Sequence, residues 1–147
     1  MWCRRVRPTG GSQLSETEPR SWESTGLEVL RTMDFEGTRL QRVGTYVVCF
    51  GATWCPPTRR FVPKFVTRNG HLAAHLAMAD ITDLKDPLWD TFHIRITPTI
   101  LVFRDGVVLH RFDGRRFIGL RNSDLDHLTD FVGTAGSPAL PKVPPAP

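Results

Sequence analysis

Three cysteines in a chain of 147 residues, Cys3, Cys49 and Cys55, are too few to close a disulfide framework, and their spacing matches no zinc site. Each has to be weighed alone. Nowhere does the chain approach the ~20 continuous apolar residues needed to cross a bilayer, so no membrane partner is expected. The start, Met1-Trp2-Cys3-Arg4-Arg5-Val6-Arg7, is basic but lacks the apolar run of a secretory signal. Glu16, Glu18 and Glu23 argue against a mitochondrial presequence reaching that far, which leaves a cytoplasmic location as the expectation. Excess charge is also scarce. The formal charge is +4, and residues 26–132 hold 14 basic and 12 acidic side chains, leaving +2 for that stretch. Arg111, Arg115, Arg116 and Arg121 crowd one region, but Asp113 and Asp124 interrupt them and no stacking aromatics accompany them. A nucleic-acid partner is therefore not expected. His71 and His75 lie four apart without a third ligand, and there is no Gly-rich phosphate loop, metalloprotease helix motif or serine-triad signature. Neither a metal nor a cofactor is expected.

What is present is an ordinary globular composition, 40% hydrophobic and 23% charged, at a length suited to one core. Residues 1–25 lack apolar periodicity and residues 133–147 hold five of the twelve prolines. Both ends read as tails, the first flexible and the second Pro-rich, around a domain at 26–132. Within it, 27–32 suits a first strand, and Asp34 is placed to cap a short helix toward Val43 with Phe35 and Leu40 for burial. The continuous run Tyr46-Val47-Val48-Cys49-Phe50 predicts a central strand buried on both faces. Pro56 and Pro57 suit a helix's first turn, Phe61 and Phe65 with Val62 and Val66 give that helix an apolar face, Pro63 kinks it and Asn69-Gly70 ends it. A strand over 76–81, a short helix after Asp86-Pro87, and strands over 100–103 and 107–112 joined by Arg104-Asp105-Gly106 follow. Ser123 and Asp126 have capping-box spacing before a last helix through Leu125, Leu128 and Phe131. The order βαβαβαββα implies an α/β domain of three layers, helices on both sides of a mixed sheet.

Cys55 falls between the buried strand and the helix. Unpaired backbone N–H groups and the helix dipole favour an anion there, and the thiolate is that anion. The dipole contributes about 0.3–1 kcal/mol, less than one pKa unit, so further lowering needs donors aimed at the sulfur. Thr58, three residues on, offers one such hydroxyl. At this point the sequence resembles a known family: Phe50-Gly51-Ala52-Thr53-Trp54-Cys55-Pro56-Pro57 is similar to the active-site segment of the thioredoxin superfamily, especially its Trp-Cys-Pro-Pro-Cys members. Pro63 falls where that family's helix kink lies, and Ile96-Thr97-Pro98-Thr99 resembles its cis-proline loop. The resemblance covers about residues 27–132. It implies a thioredoxin fold and a groove for an extended peptide formed by Trp54, Cys55, Pro56, the Thr97-Pro98 bend and Gly114. Packing and turn geometry alone are the alternative account of Trp54 and Pro98.

The departures from the family point to one thiol. The family's second cysteine, which resolves a mixed disulfide, corresponds to Thr58, and a hydroxyl cannot perform thiol–disulfide exchange. Its buried acid corresponds to Cys49, and its neighbouring lysine to Met78. A cysteine inside an apolar strand is usually inert, yet Cys49 is also a candidate resolver, lying beneath the active-site helix. Cys3, in the tail, has the reach to meet Cys55 or another molecule, although a tail thiol is more often incidental. The leading expectation is a monothiol redox protein of thioredoxin type. Cys55 acts as nucleophile on protein or peptide disulfides or oxidised thiols, and an external thiol, with glutathione a candidate, resolves the adduct. The alternatives are a peptide-binding module without turnover and a redox sensor oxidised at Cys55.

Overall fold

In a computed structural model of the chain, residues 3–4, 21–116 and 118–133 are described. They run as β1 (Cys3–Arg4), a 3-10 turn (Trp22–Thr25), β2 (Glu28–Leu30), a second 3-10 turn (Thr32–Asp34), β3 (Phe35–Glu36), β4 (Arg39–Leu40), β5 (Thr45–Gly51), α1 (Pro56–Asn69), β6 (His75–Asp80), α2 (Leu88–Thr91), β7 (Ile96–Thr97), β8 (Thr99–Arg104), β9 (Val107–Phe112) and α3 (Asn122–Val132). The main sheet has the order β2-β6-β5-β8-β9. β2, β6 and β5 are parallel, whereas β8 and β9 run antiparallel to their neighbours.

Strand β5 lies in the middle because its side chains are apolar on both faces. Val47 and Cys49 join Phe61, Val62 and Phe65 of α1 and Leu125, Leu128 and Val132 of α3 on one side. Tyr46, Val48 and Phe50 join Leu88, Trp89, Phe92 and Leu40 on the other. A strand buried on both faces has no polar alternation to display, hence the uninterrupted apolar run. The hairpin of β8 and β9 turns through Asp105 and Gly106, both at positive φ (48° and 90°).

Three expectations need correction. The helix anticipated from Asp34 toward Val43 is instead a single 3-10 turn and the β3–β4 hairpin. Asp34 does cap, accepting from the Arg31 N–H at 2.8 Å, but for one turn. Gly37 then adopts φ 59°, allowing the chain to reverse. Phe35 is thereby placed opposite Leu40 and among the rings of Phe50, Phe92 and Phe103, with centroids 5.3–6.0 Å away. At α3 the capping carboxylate belongs to Asp124, which accepts from the Arg121 N–H at 2.7 Å, while Asp126 pairs with Arg68 of α1 at 2.5 Å. Finally, ordered packing begins before the boundary at 26. Trp22 is 1% exposed and its indole N–H donates to the Gly51 carbonyl at 3.3 Å. The remainder of the N-terminal segment apart from Cys3 and Arg4, and the Pro-rich segment from 134 onward, lie outside the described residues.

Candidate active site

Cys55 is the N-cap of α1, in extended conformation (φ −97°, ψ 110°), with Pro56 and Pro57 in the first turn. The prolines remove two N–H groups that would lack intrahelical partners and preset φ for the helix. The Cys55 N–H donates to the Ala52 carbonyl at 3.1 Å, and its carbonyl accepts from the Arg59 N–H at 3.0 Å. These bonds hold the residue on the turn that leaves β5. The side chain is fully buried, and its sulfur is disulfide-bonded.

The hydroxyl on that sulfur is not the one expected. Thr97 Oγ1 donates to Cys55 Sγ at 3.0 Å, and the Thr97 carbonyl oxygen lies 3.5 Å from the same sulfur. Thr58 Oγ1 is buried and has no hydrogen-bond partner among the described residues. Thr58 packs its methyl toward Gly51, where a Cβ would stand 2.5 Å from it and 3.2 Å from the Met78 Cε. Its place in the third residue of the helix turns it inward, onto the sheet. Thr97 ends β7, and the Thr97–Pro98 peptide bond that leads into β8 is cis.

The bend at Pro98 is held from behind by the Thr99 hydroxyl and by two glycines, Gly114 and Gly119. Thr99 Oγ1 donates to the Ile96 carbonyl at 2.7 Å and accepts from the Gly114 N–H at 3.3 Å. A Cβ on Gly114 would overlap the Pro98 carbonyl oxygen, and one on Gly119 would stand 3.2 Å from both Pro57 Cβ and Pro98 Cδ. Gly119 also has φ 72°, a region that favours glycine. Gly119 was missed by the sequence reading, since nothing local distinguishes it among twelve glycines.

Trp54 sits half-buried at the rim. Its indole N–H donates to the Thr82 carbonyl at 2.8 Å, and its ring stacks on Trp89 at 6.4 Å and 12°. Thr82 was also overlooked: its hydroxyl accepts from the Thr53 N–H at 3.1 Å and donates to Asp80 at 2.6 Å, tying the loop to the end of β6. Cys49 is in a different environment. It faces Met78 on β6 and Ile100 on β8, is a free thiol with no exposure, and burial pushes its pKa up. Cys55 packs instead with Ala52 and Trp54. Of the anticipated site residues, the structure brings Trp54, Cys55, Pro56, Thr97, Pro98 and Gly114 into one region, while Cys49 and Thr58 face the core. Among the described residues no group of three or more His, Cys, Asp or Glu side chains is placed to hold a metal ion.

The five-strand mixed sheet flanked by helices is a thioredoxin-like α/β fold. Thioredoxin f2 of Chlamydomonas reinhardtii superposes with a TM-score of 0.58 at 20% identity, covering 71% of this chain and 94% of that one. A mutant thioredoxin of Halobacterium salinarum gives 0.51 at 23% identity, covering 69% and 87%. The thioredoxin family profile matches residues 27–126, and the chain belongs to the thioredoxin family. Among curated relatives, a thioredoxin-like protein of Synechocystis is 32% identical over 69 residues, 46% of this chain and 66% of that protein. Chloroplastic thioredoxin Y2 of Arabidopsis thaliana is 35% identical over 69 residues, 46% of this chain and 41% of that protein. The match thus spans less than two thirds of either relative's length. No helix among the described residues is long and apolar enough to cross a membrane.

Proposed function

We propose that the protein is a thioredoxin-type thiol–disulfide oxidoreductase whose active-site loop works with one sulfur, that of Cys55, on protein or peptide disulfides. The observation that carries this reading is the setting of the Cys55 sulfur. It lies at the start of α1, receives the Thr97 hydroxyl at 3.0 Å, and is already engaged in a disulfide. A helix N-terminus and a hydroxyl donor both favour the thiolate over the thiol, and the thiolate is the nucleophile of exchange. In its attack on a target disulfide, Cys55 forms a new S–S bond to one target sulfur and the other leaves as thiolate. Thr58 cannot complete the cycle, so the thiol that releases the target comes from outside the loop, either a small thiol such as glutathione or another cysteine.

A second reading, peptide binding without turnover, is favoured by the way β7 accepts β1 as an antiparallel partner. An extended peptide binding by backbone pairing would use the same edge. Reduction of insulin disulfides by dithiothreitol separates the two. The Cys55→Ser protein is expected to lose the catalysed rate while Cys49→Ala keeps it. Equal rates for wild type and Cys55→Ser, with peptide affinity retained in both, would leave the binding module as the better account.

A further inference from the structure

Cys55 is disulfide-bonded, and the chain contains two other cysteines. Cys49 is a free thiol at the centre of β5, packed with Phe61 and Phe65 in the layer beneath α1. The other is Cys3. Its backbone forms β1, which pairs antiparallel with β7 in a register that sets Cys3 opposite Thr97 and Arg4 opposite Ile96. Thr97 is the residue whose hydroxyl touches Cys55 Sγ. β1 also has Cα atoms within 8 Å of α1, the helix that Cys55 caps. Facing residues of an antiparallel pair have Cα atoms about 4.5–5.5 Å apart, which sets the Cys3 backbone beside that of Thr97. The main-chain ladder therefore delivers Cys3 to the neighbourhood of the Cys55 sulfur through bonds that involve no sulfur at all.

We propose that Cys3 is the resolving cysteine of Cys55, brought to it by addition of the N-terminal segment as a strand on β7. This rests on the exchange chemistry proposed above for Cys55 and supplies the thiol that the loop lacks. Of the two accounts of Cys3 that its sequence position allows, reach to Cys55 and an incidental tail thiol, the proposal takes the first. The cycle balances in two displacements. Cys55 thiolate attacks the target disulfide, forming a Cys55–target bond and expelling the first target thiolate. Cys3 thiolate then attacks Cys55 Sγ, forming the Cys3–Cys55 disulfide and expelling the second. Two electrons pass from the protein dithiol to the target, and an external dithiol, acting by the same two displacements, returns the protein to its reduced form. The strand also competes with its own substrate. β1 occupies the β7 edge along which an extended target would pair, so the oxidised protein is closed to a second target until it is reduced.

Tethering gives the proposal a quantitative signature. A thiol on a short linker acts at an effective concentration in the millimolar range, against micromolar protein in solution. Resolution by Cys3 should then outpace resolution by a second protein molecule on the order of 100-fold or more. The test is a single turnover of the reduced full chain at micromolar concentration with one equivalent of a symmetrical nitroaryl disulfide, which releases a coloured thiolate at each step. Wild type is expected to release both aryl thiolates, the second at a rate independent of protein concentration, and to yield a Cys3–Cys55 cross-linked peptide on mass mapping. Cys3→Ser should release one and retain the other as an adduct on Cys55, while Cys49→Ala behaves as wild type. Release of both thiolates by Cys3→Ser at the wild-type rate would overturn the assignment of Cys3. A second release that scales with protein concentration would overturn the intramolecular step. The underlying reading fails in a different way: wild type would then carry its adduct on Cys3 alone, and Cys55→Ser would react as wild type does.

Discussion

Replacing Thr97 by Val tests what sets the reactivity of Cys55. The substitution keeps the shape of a fully buried side chain and removes the hydroxyl that donates to Cys55 Sγ at 3.0 Å. A hydrogen bond to a charged acceptor contributes about 1.5–3 kcal/mol, and one pKa unit corresponds to about 1.4 kcal/mol. Because the bond stabilises the thiolate more than the neutral thiol, its loss should raise the Cys55 pKa by about 1–2 units in the reduced protein. Rates move less than populations. Below both pKa values each unit costs about tenfold in thiolate fraction and returns about threefold in intrinsic nucleophilicity, for a net slowing of about threefold per unit. The measurement is the pH dependence of iodoacetamide alkylation, with Cys55 followed by peptide mapping. Thr97→Ser, which keeps the hydroxyl, should titrate within about half a unit of wild type. If Thr97→Val also titrates within about 0.3 unit of wild type, the helix terminus alone tunes the sulfur and the hydroxyl has no part in it.

Thr58→Val removes a buried hydroxyl that has no hydrogen-bond partner among the described residues, so it should stabilise the fold by about 1 kcal/mol and raise Tm by about 2–4 °C. A lower Tm would mean that the hydroxyl has a partner after all. Gly114→Ala drives a Cβ into the Pro98 carbonyl oxygen and should cost about 1–3 kcal/mol in chemical denaturation, with slower exchange at Cys55 as the bend shifts. Unchanged stability and rate would show that the bend yields freely. Cys49 stays protonated in the folded state well above its ordinary pKa of 9.0, because burial penalises the thiolate. Its unfolded-state thiol ionises first as pH rises, so stability should fall above pH 9.0 by up to about 1.4 kcal/mol per pH unit. Tyr46, also raised by burial, adds to the loss above pH 10.0, and Cys49→Ala should remove the Cys49 part of the slope in urea melts repeated across that range. An identical slope in Cys49→Ala would refute that attribution.

Local chemistry made much of this protein legible from the chain alone. An uninterrupted apolar strand, two prolines after Cys55 and an Asp-Gly turn are signals contained within a few residues, and β5, α1 and the β8–β9 hairpin follow from them. The position of Cys55 at a helix start needed nothing more, whereas the thioredoxin fold class rested also on the resemblance of the Trp54-Cys55-Pro56-Pro57 and Thr97-Pro98 segments to that family. What the tertiary structure decided depends on residues distant in sequence. Asp34 carries the chemistry of a helix cap, yet Phe35 and Leu40 gain more by entering the aromatic cluster around Phe92, and the segment folds as a hairpin to reach it. Thr58, three residues after Cys55, was the expected hydroxyl donor to its sulfur, and Thr97 is the one found there. Their roles diverge because the third residue of α1 faces the sheet, while the residue before Pro98 is carried across the fold to within 3.0 Å of Sγ. Cys3 shows the largest gap between sequence and structure. A two-residue strand has no hydrophobic period by which a sequence can announce it, and its meaning arises only from the register that sets it opposite Thr97, 94 positions along the chain.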